Sequence, residues 1–262
     1  VDETCKNTAR SLPHIGIGFT PLTSERIFSS GNERSPISFV TSGVTDAGYM
    51  INKEDKFHMI VDLMNTSNED KKAYLTITYD YVMGHPKGWS DVKMIWFDVD
   101  NCNTSDVKPP TQTGNFTVDW TYVPDFSGEV INTVGHLHDG GQRLTVSKNG
   151  RQVCDSVASY GGSPEFKNSG KQVGGHSHKR REVSRRDGAP KAATEHISFM
   201  TMCEKNSFLD KKMNKGEQWS IKAYYDYKQN AGVLHDNAAQ DDVMGIALMY
   251  VKVPRKNVAK TA

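Results

Sequence analysis

The sequence predicts an all-β fold, a sandwich or barrel, and the expectation adopted is an antiparallel β-sandwich of jelly-roll-like form with long loops. Three observations lead there. Segments of eight to eleven residues with period-two alternation recur along the chain, rich in β-branched and aromatic residues. Helical periodicity is scarce, and Gly- and Pro-bearing breaks separate the alternating runs. With 262 residues, 36% hydrophobic and 24% charged, the chain is long enough for one large all-β unit, and a single domain over residues 1–262 is expected.

The elements follow in order. The first forty residues are too irregular to assign. "FHMIVDLM" (57–64) and "AYLTITYDYVM" (73–83) alternate and read as strands. "GHPKGWSD" (84–91) breaks the pattern before "VKMIWFDV" (92–99). "DVKPPTQTG" (106–114) is a loop, because Pro109-Pro110 is excluded from a central strand. "NFTVDWTYV" (115–123) and "EVINTVGHLH" (129–138) are strands. "QRLTVSKNGRQVCDS" is the clearest hairpin, since Asn149-Gly150 supplies the positive φ angles of a type I′ turn. The stretch 167–193 is glycine-rich and strongly basic, with almost no apolar residues, and is expected to be a mobile excursion within the domain. "HISFMTMC" (196–203), "QWSIKAYYDY" (218–227) and "VMGIALMYVKV" (243–253) complete the set.

The net charge of +1 gives no field for nucleic acid or an anionic membrane, so neither is an expected partner. No stretch approaches the length of a membrane span, and the polar start "VDETCKNTAR" is not a signal peptide; a mature, processed or truncated chain would begin this way. Cys5, Cys102, Cys154 and Cys203 contain no C-x-x-C pair, which disfavours a thiolate zinc cage and allows up to two disulfides in any of three pairings. Sequons at Asn65, Asn103 and Asn115 hardly exceed chance for this composition. Joined with an even cysteine count, they point to a secreted, extracellular glycoprotein.

The chemistry-bearing motif is "VGHLHDGG" (134–141). Side chains two apart on a strand share a face, so His136 and His138 can aim both imidazoles at one ion. Two ligands do not make a site, and spacing alone leaves a pair of polar residues on a wet sheet face as the commoner meaning. Met244, in "QDDVMGIALMYV", is the separate candidate. A thioether is a soft ligand, and two imidazoles with one thioether select copper over zinc or magnesium. One of ten methionines, it would ordinarily be core filler.

Two resemblances bear on this. "AGYMINKEDKFHMIVDLMN", "VGHLHDGG" leading into the Asn-Gly hairpin, "QWSIKAYYDY" and "DDVMGIALMY" resemble, in order, the second copper domain of the peptidylglycine and dopamine monooxygenases. That family's His-x-His pair and late-strand Met bind copper, which implies His136, His138 and Met244 as ligands here. "SGNERSPISF", "YDYVMGHPKGW", "WFDVDNC", "GHLHDGG", "VCDSVASYG" and "HISFMTMC" resemble the secreted stress-up-regulated nodulin-type proteins of plants and fungi over nearly the whole chain apart from the basic insert. The two-copper enzymes carry a preceding domain with its own histidine-bound copper. No adjacent His-His motif or second sandwich is present in this sequence, so a mononuclear copper site is the expectation.

His196, opening "HISFMTMC", is the fourth candidate, as an extra ligand or a supporting imidazole. His235 precedes Met244 on a loop and ranks lower; His58 alternates inside an expected strand and is left out. His176 and His178 repeat the spelling in a basic loop that disfavours a cation. The expected function is a secreted copper-binding sandwich, with copper as cofactor and one-electron chemistry on an unnamed small-molecule or extracellular ligand. The competing expectations are a non-catalytic secreted binding or structural module, and metal storage. Oligomeric state stays open.

Overall fold

The computed structural model describes residues 10–11, 19–20, 25–33, 35–39, 46–61, 63, 70–101, 104–167, 193–204, 208–235 and 238–254. Its strands are β1 (Arg10–Ser11), β2 (Phe19–Thr20), β3 (Ala47–Gly48), β4 (Ser90–Asp98), β5 (Asn115–Tyr122), β6 (Gly128–Leu137), β7 (Gly141–Lys148), β8 (Arg151–Tyr160), β9 (Ile197–Met200), β10 (Met202–Cys203), β11 (Lys212–Met213), β12 (Trp219–Asp226) and β13 (Gly245–Val253). The one helical element among the described residues is a 3₁₀ turn, Pro164–Phe166.

Two sheets pack face to face as a sandwich. One runs β10-β6-β13-β4-β3, with β11 also on β6, and the other runs β5-β12-β7-β8-β9. β1 and β2 pair separately. All pairs are antiparallel except β3 with β4. The core between the sheets holds Ile95, Phe97, Leu137, Leu144, Met200, Trp219, Ile221 and Tyr225. The Asn149-Gly150 hairpin joins β7 to β8 as expected, with φ of 49° and 80° at the two turn residues.

One face of the six-stranded sheet is covered by a strap of chain rather than by the other sheet. A Cβ on Gly135 would meet Ser156 Oγ at 2.9 Å and Met200 Cε at 3.0 Å, both in the opposite sheet. Odd-numbered positions around Gly135 therefore face the core, and Asn132, Val134 and His136 face outward. The strap, residues 25–33 and 35–39, crosses that outer face. Arg26 stacks on Trp96 at 3.9 Å, Tyr250 donates its hydroxyl proton to the Ile27 carbonyl, Phe39 packs on Tyr250 at 5.3 Å, and Asn132 donates to the Ser38 carbonyl. Covered on both sides, β13 loses alternation: eight of its nine residues are buried.

Three expectations change. Residues 57–61, 63 and 73–83 form no strand among the described residues. Phe57 and Tyr79 lie 6.4 Å apart, yet Tyr74 is 81% and Met83 87% exposed. Alternation tells which face is apolar, not which strand will pair with it. "HISFMTMC" is two strands, β9 in one sheet and β10 in the other, so the chain changes sheets at Thr201. The buried disulfide Cys154–Cys203 ties β8 to β10 and hence sheet to sheet; Cys5 and Cys102 lie outside the described residues. So does the basic segment between its ends, Lys167 and Ala193, which return close together through the Lys167–Glu195 bridge and the Phe166 carbonyl bonded to the His196 N–H.

Candidate metal centre

His136 is the penultimate residue of β6, and His138 follows its end. Their rings meet edge to face at 5.7 Å between centroids. The strap reaches His136: its Nδ1 lies 3.1 Å from Glu33 Oε1, and the same oxygen accepts the Gly31 N–H at 3.0 Å. Gly31 has no room for a side chain, since a Cβ there would stand 2.4 Å from His136 Cε1. Glu33 is buried at 8% exposure.

His138 Nδ1 lies 2.7 Å from the Asp242 carbonyl oxygen. A carbonyl only accepts, so this Nδ1 carries the proton, and a Glu33 carboxylate places the same demand on His136. Each ring thereby turns its other nitrogen, Nε2, away from its anchor. No hydrogen bond to either Nε2 occurs among the described residues.

The electrostatics differ between the two rings. Burial disfavours the charged form of His136, but the Glu33 carboxylate outweighs it, helped by Asp106 and Asp139, and its pKa lies above the usual histidine value. Burial, reinforced by positive His136, pushes His138 below that value. Glu33 is held below the ordinary glutamate range: burial would raise it, and His136 overrides burial.

Met244 precedes β13. Gly245 pairs with Leu137 and Ile246 with His136, so extending the register by one sets Met244 opposite His138. Opposed residues of an antiparallel pair share a face. Three of the four expected residues are thus gathered at one end of two adjacent strands, and Met244 is buried.

His196 stands beside them through another residue. Its Nδ1 bonds Asp139 Oδ2 at 2.5 Å, and Asp139 Oδ1 accepts the Ile197 N–H at 2.9 Å. Hydrogen bonding to Asp139 raises the His196 pKa. His235 is exposed and paired with Asp241 at 3.0 Å, and His58 is exposed. His176 and His178 lie outside the described residues, as do Asn65 and Asn103. Asn115 is exposed at the start of β5, on the edge of its sheet.

Glu33 and the Asp242 carbonyl are the site partners that sequence reasoning missed. Glu33 lies 103 residues before His136, and no spacing rule links them. A signal existed in "SGNERSPISF", where the Gly-Asn-Glu turn that seats the carboxylate is visible but unplaced.

Two fungal relatives resemble the chain at low identity. A probable copper-dependent oxygenase of Phoma sp. is 28% identical over 228 residues, covering 87% of this chain and 51% of the relative. A probable copper-dependent oxygenase of Cochliobolus lunatus is 27% identical over 230 residues, covering 87% of this chain and 64% of the relative. The chain therefore spans between half and two-thirds of the length of these relatives. No family model and no solved structure matches it.

Proposed function

We propose that this chain is a copper-binding oxidoreductase domain, its metal held by Nε2 of His136, Nε2 of His138 and the thioether of Met244. One observation carries the reading. Both imidazoles are anchored through Nδ1, one by a carboxylate and one by a backbone carbonyl, the arrangement that fixes ring and tautomer in metal-binding histidines. The naming of both fungal relatives as copper-dependent oxygenases supports the choice of metal. So does the donor set, two borderline nitrogens and one soft sulfur.

Bound copper supplies one-electron redox chemistry for oxidising a substrate. The chain's own residues do the rest. Glu33 holds His136 and offsets cationic charge at the site. Asp242 holds His138, and the buried Met244 brings a donor that favours reduced copper. His196 supports Asp139 and, with it, the turn that ends β6. The strap limits water on one side through Gly31 and Glu33. We further propose that the protein works outside the cytosol, as the likeness to secreted nodulin-type proteins implies and the buried Cys154–Cys203 disulfide favours. Asn115 is the described sequon placed for a glycan. No helix among the described residues is long and apolar enough to cross a membrane.

Metal analysis of copper-loaded, dialysed protein tests the site. Wild type keeps about one equivalent, and His136→Ala and His138→Ala keep almost none. Equal, negligible copper in all three ends the reading. Dioxygen or peroxide consumption with ascorbate then separates an enzyme from a store, because a store holds copper without turnover.

A further inference from the structure

The geometry points to Tyr225 as the residue that sets the span between His138 and Met244, acting from the opposite sheet. This rests on the ligand assignment above. Tyr225 belongs to β12 of the five-stranded sheet and is 1% exposed. Its ring stacks on Phe116 at 5.0 Å with the planes 5° apart. Its hydroxyl crosses the core to the end of the other sheet, accepts the His138 N–H at 3.2 Å, and donates to the Met244 carbonyl at 2.5 Å.

That hydroxyl occupies the place of a ladder hydrogen bond. Carbonyls along a strand point alternately to its two neighbours. The Gly245 carbonyl accepts from Val99, just past the end of β4, so the preceding carbonyl, of Met244, is turned toward β6. An ordinary pair would join the His138 N–H to it directly at about 2.9 Å. Here the phenol stands between the two atoms, so β6 and β13 part where the two side chains leave them. The Asp242 carbonyl then orients the His138 ring, while Tyr225 fixes the backbone beneath. Tyr225 faces the core and the ligands face outward, so it is a positioning residue that touches neither metal nor substrate.

Tyr225→Phe removes both bonds and leaves the ring. In metal-free protein, amide hydrogen exchange at His138 should be slow in wild type, although the residue lies past the last residue of β6, and at least tenfold faster in the variant. Competition against a Cu(I) chelator should show at least tenfold weaker binding by Tyr225→Phe. Tyr227→Phe, losing a neighbouring hydroxyl that bonds neither strand end, should match wild type in both measurements. Rapid His138 exchange in wild type overturns the assignment even if Tyr225→Phe fails to fold. Unchanged exchange, or faster exchange with unchanged Cu(I) affinity, in Tyr225→Phe also overturns it. Wild type that holds no copper overturns the ligand reading and this role together, and the metal-free exchange result distinguishes that outcome from failure of the Tyr225 bonds alone.

Discussion

At the scale of single residues, the candidate site is two imidazoles whose orientation is settled by what lies behind them. Glu33→Gln keeps the shape of the side chain and removes the charge that fixes His136. Loss of such an outer partner typically lowers metal affinity by about 10–100-fold, and that loss is the outcome expected in a copper competition titration, with thermal unfolding little changed. Gly31→Ala drives a methyl group into His136 Cε1 at 2.4 Å. The ring or the strap must shift, with about 1–3 kcal/mol of stability lost to overpacking and weaker copper binding, read by denaturant midpoint and by the same titration. The sequence made His136 and His138 legible because a two-residue period puts both on one face. Met244 stood out by its soft thioether but was joined to the pair only by resemblance, and Glu33 was not found at all, because contacts across 103 residues leave no local pattern.

At the scale of elements, alternation located most of the strands and failed in informative places. β4, β5, β6, β12 and β13 lie where the apolar and alternating runs predict them, and Asn149-Gly150 names its own turn. The runs 57–64 and 73–83 alternate as well as any of these, yet form no strand among the described residues. "HISFMTMC" hid a change of sheet, since the pattern carries no mark of which sheet a residue joins. At the far end of β7, Lys148 pairs with Asp210 at 2.9 Å and Glu217 at 3.3 Å. Lys148 holds the Asp210 pKa below the usual range. For Glu217, slight burial raises the pKa, but Asn214 and Lys148 bring it below. Carboxyls depressed in the folded state stabilise fully above their unfolded pKa and lose that contribution as pH falls through the folded value. The stability difference between wild type and Lys148→Met should therefore shrink from about pH 6 to about pH 3, measured by urea unfolding across that range. A constant difference would show that Lys148 acts by packing alone.

At the scale of the whole molecule, two sheets are held together by an apolar core, by Tyr225 at the candidate site, and by the Cys154–Cys203 bond between β8 and β10. That bond closes a loop of 49 residues, for which chain entropy gives roughly 4 kcal/mol. Replacing both cysteines by alanine should lower stability by about 2–4 kcal/mol in guanidinium unfolding, without dissolving the fold. Limited chymotrypsin digestion should cut first at the exposed aromatics of 57–83, Phe57, Tyr74 and Tyr81 among them, before any bond in the sheets. The central claim is that one end of β6 and the start of β13 together form a copper site of two nitrogens and one sulfur. X-ray absorption at the copper edge of the Cu(I)-loaded protein tests it most directly. The account predicts histidine nitrogens plus one sulfur neighbour in wild type, with the sulfur gone and the nitrogens kept in Met244→Ile. Copper bound with no sulfur in wild type, or a spectrum that Met244→Ile leaves unaltered, would contradict it.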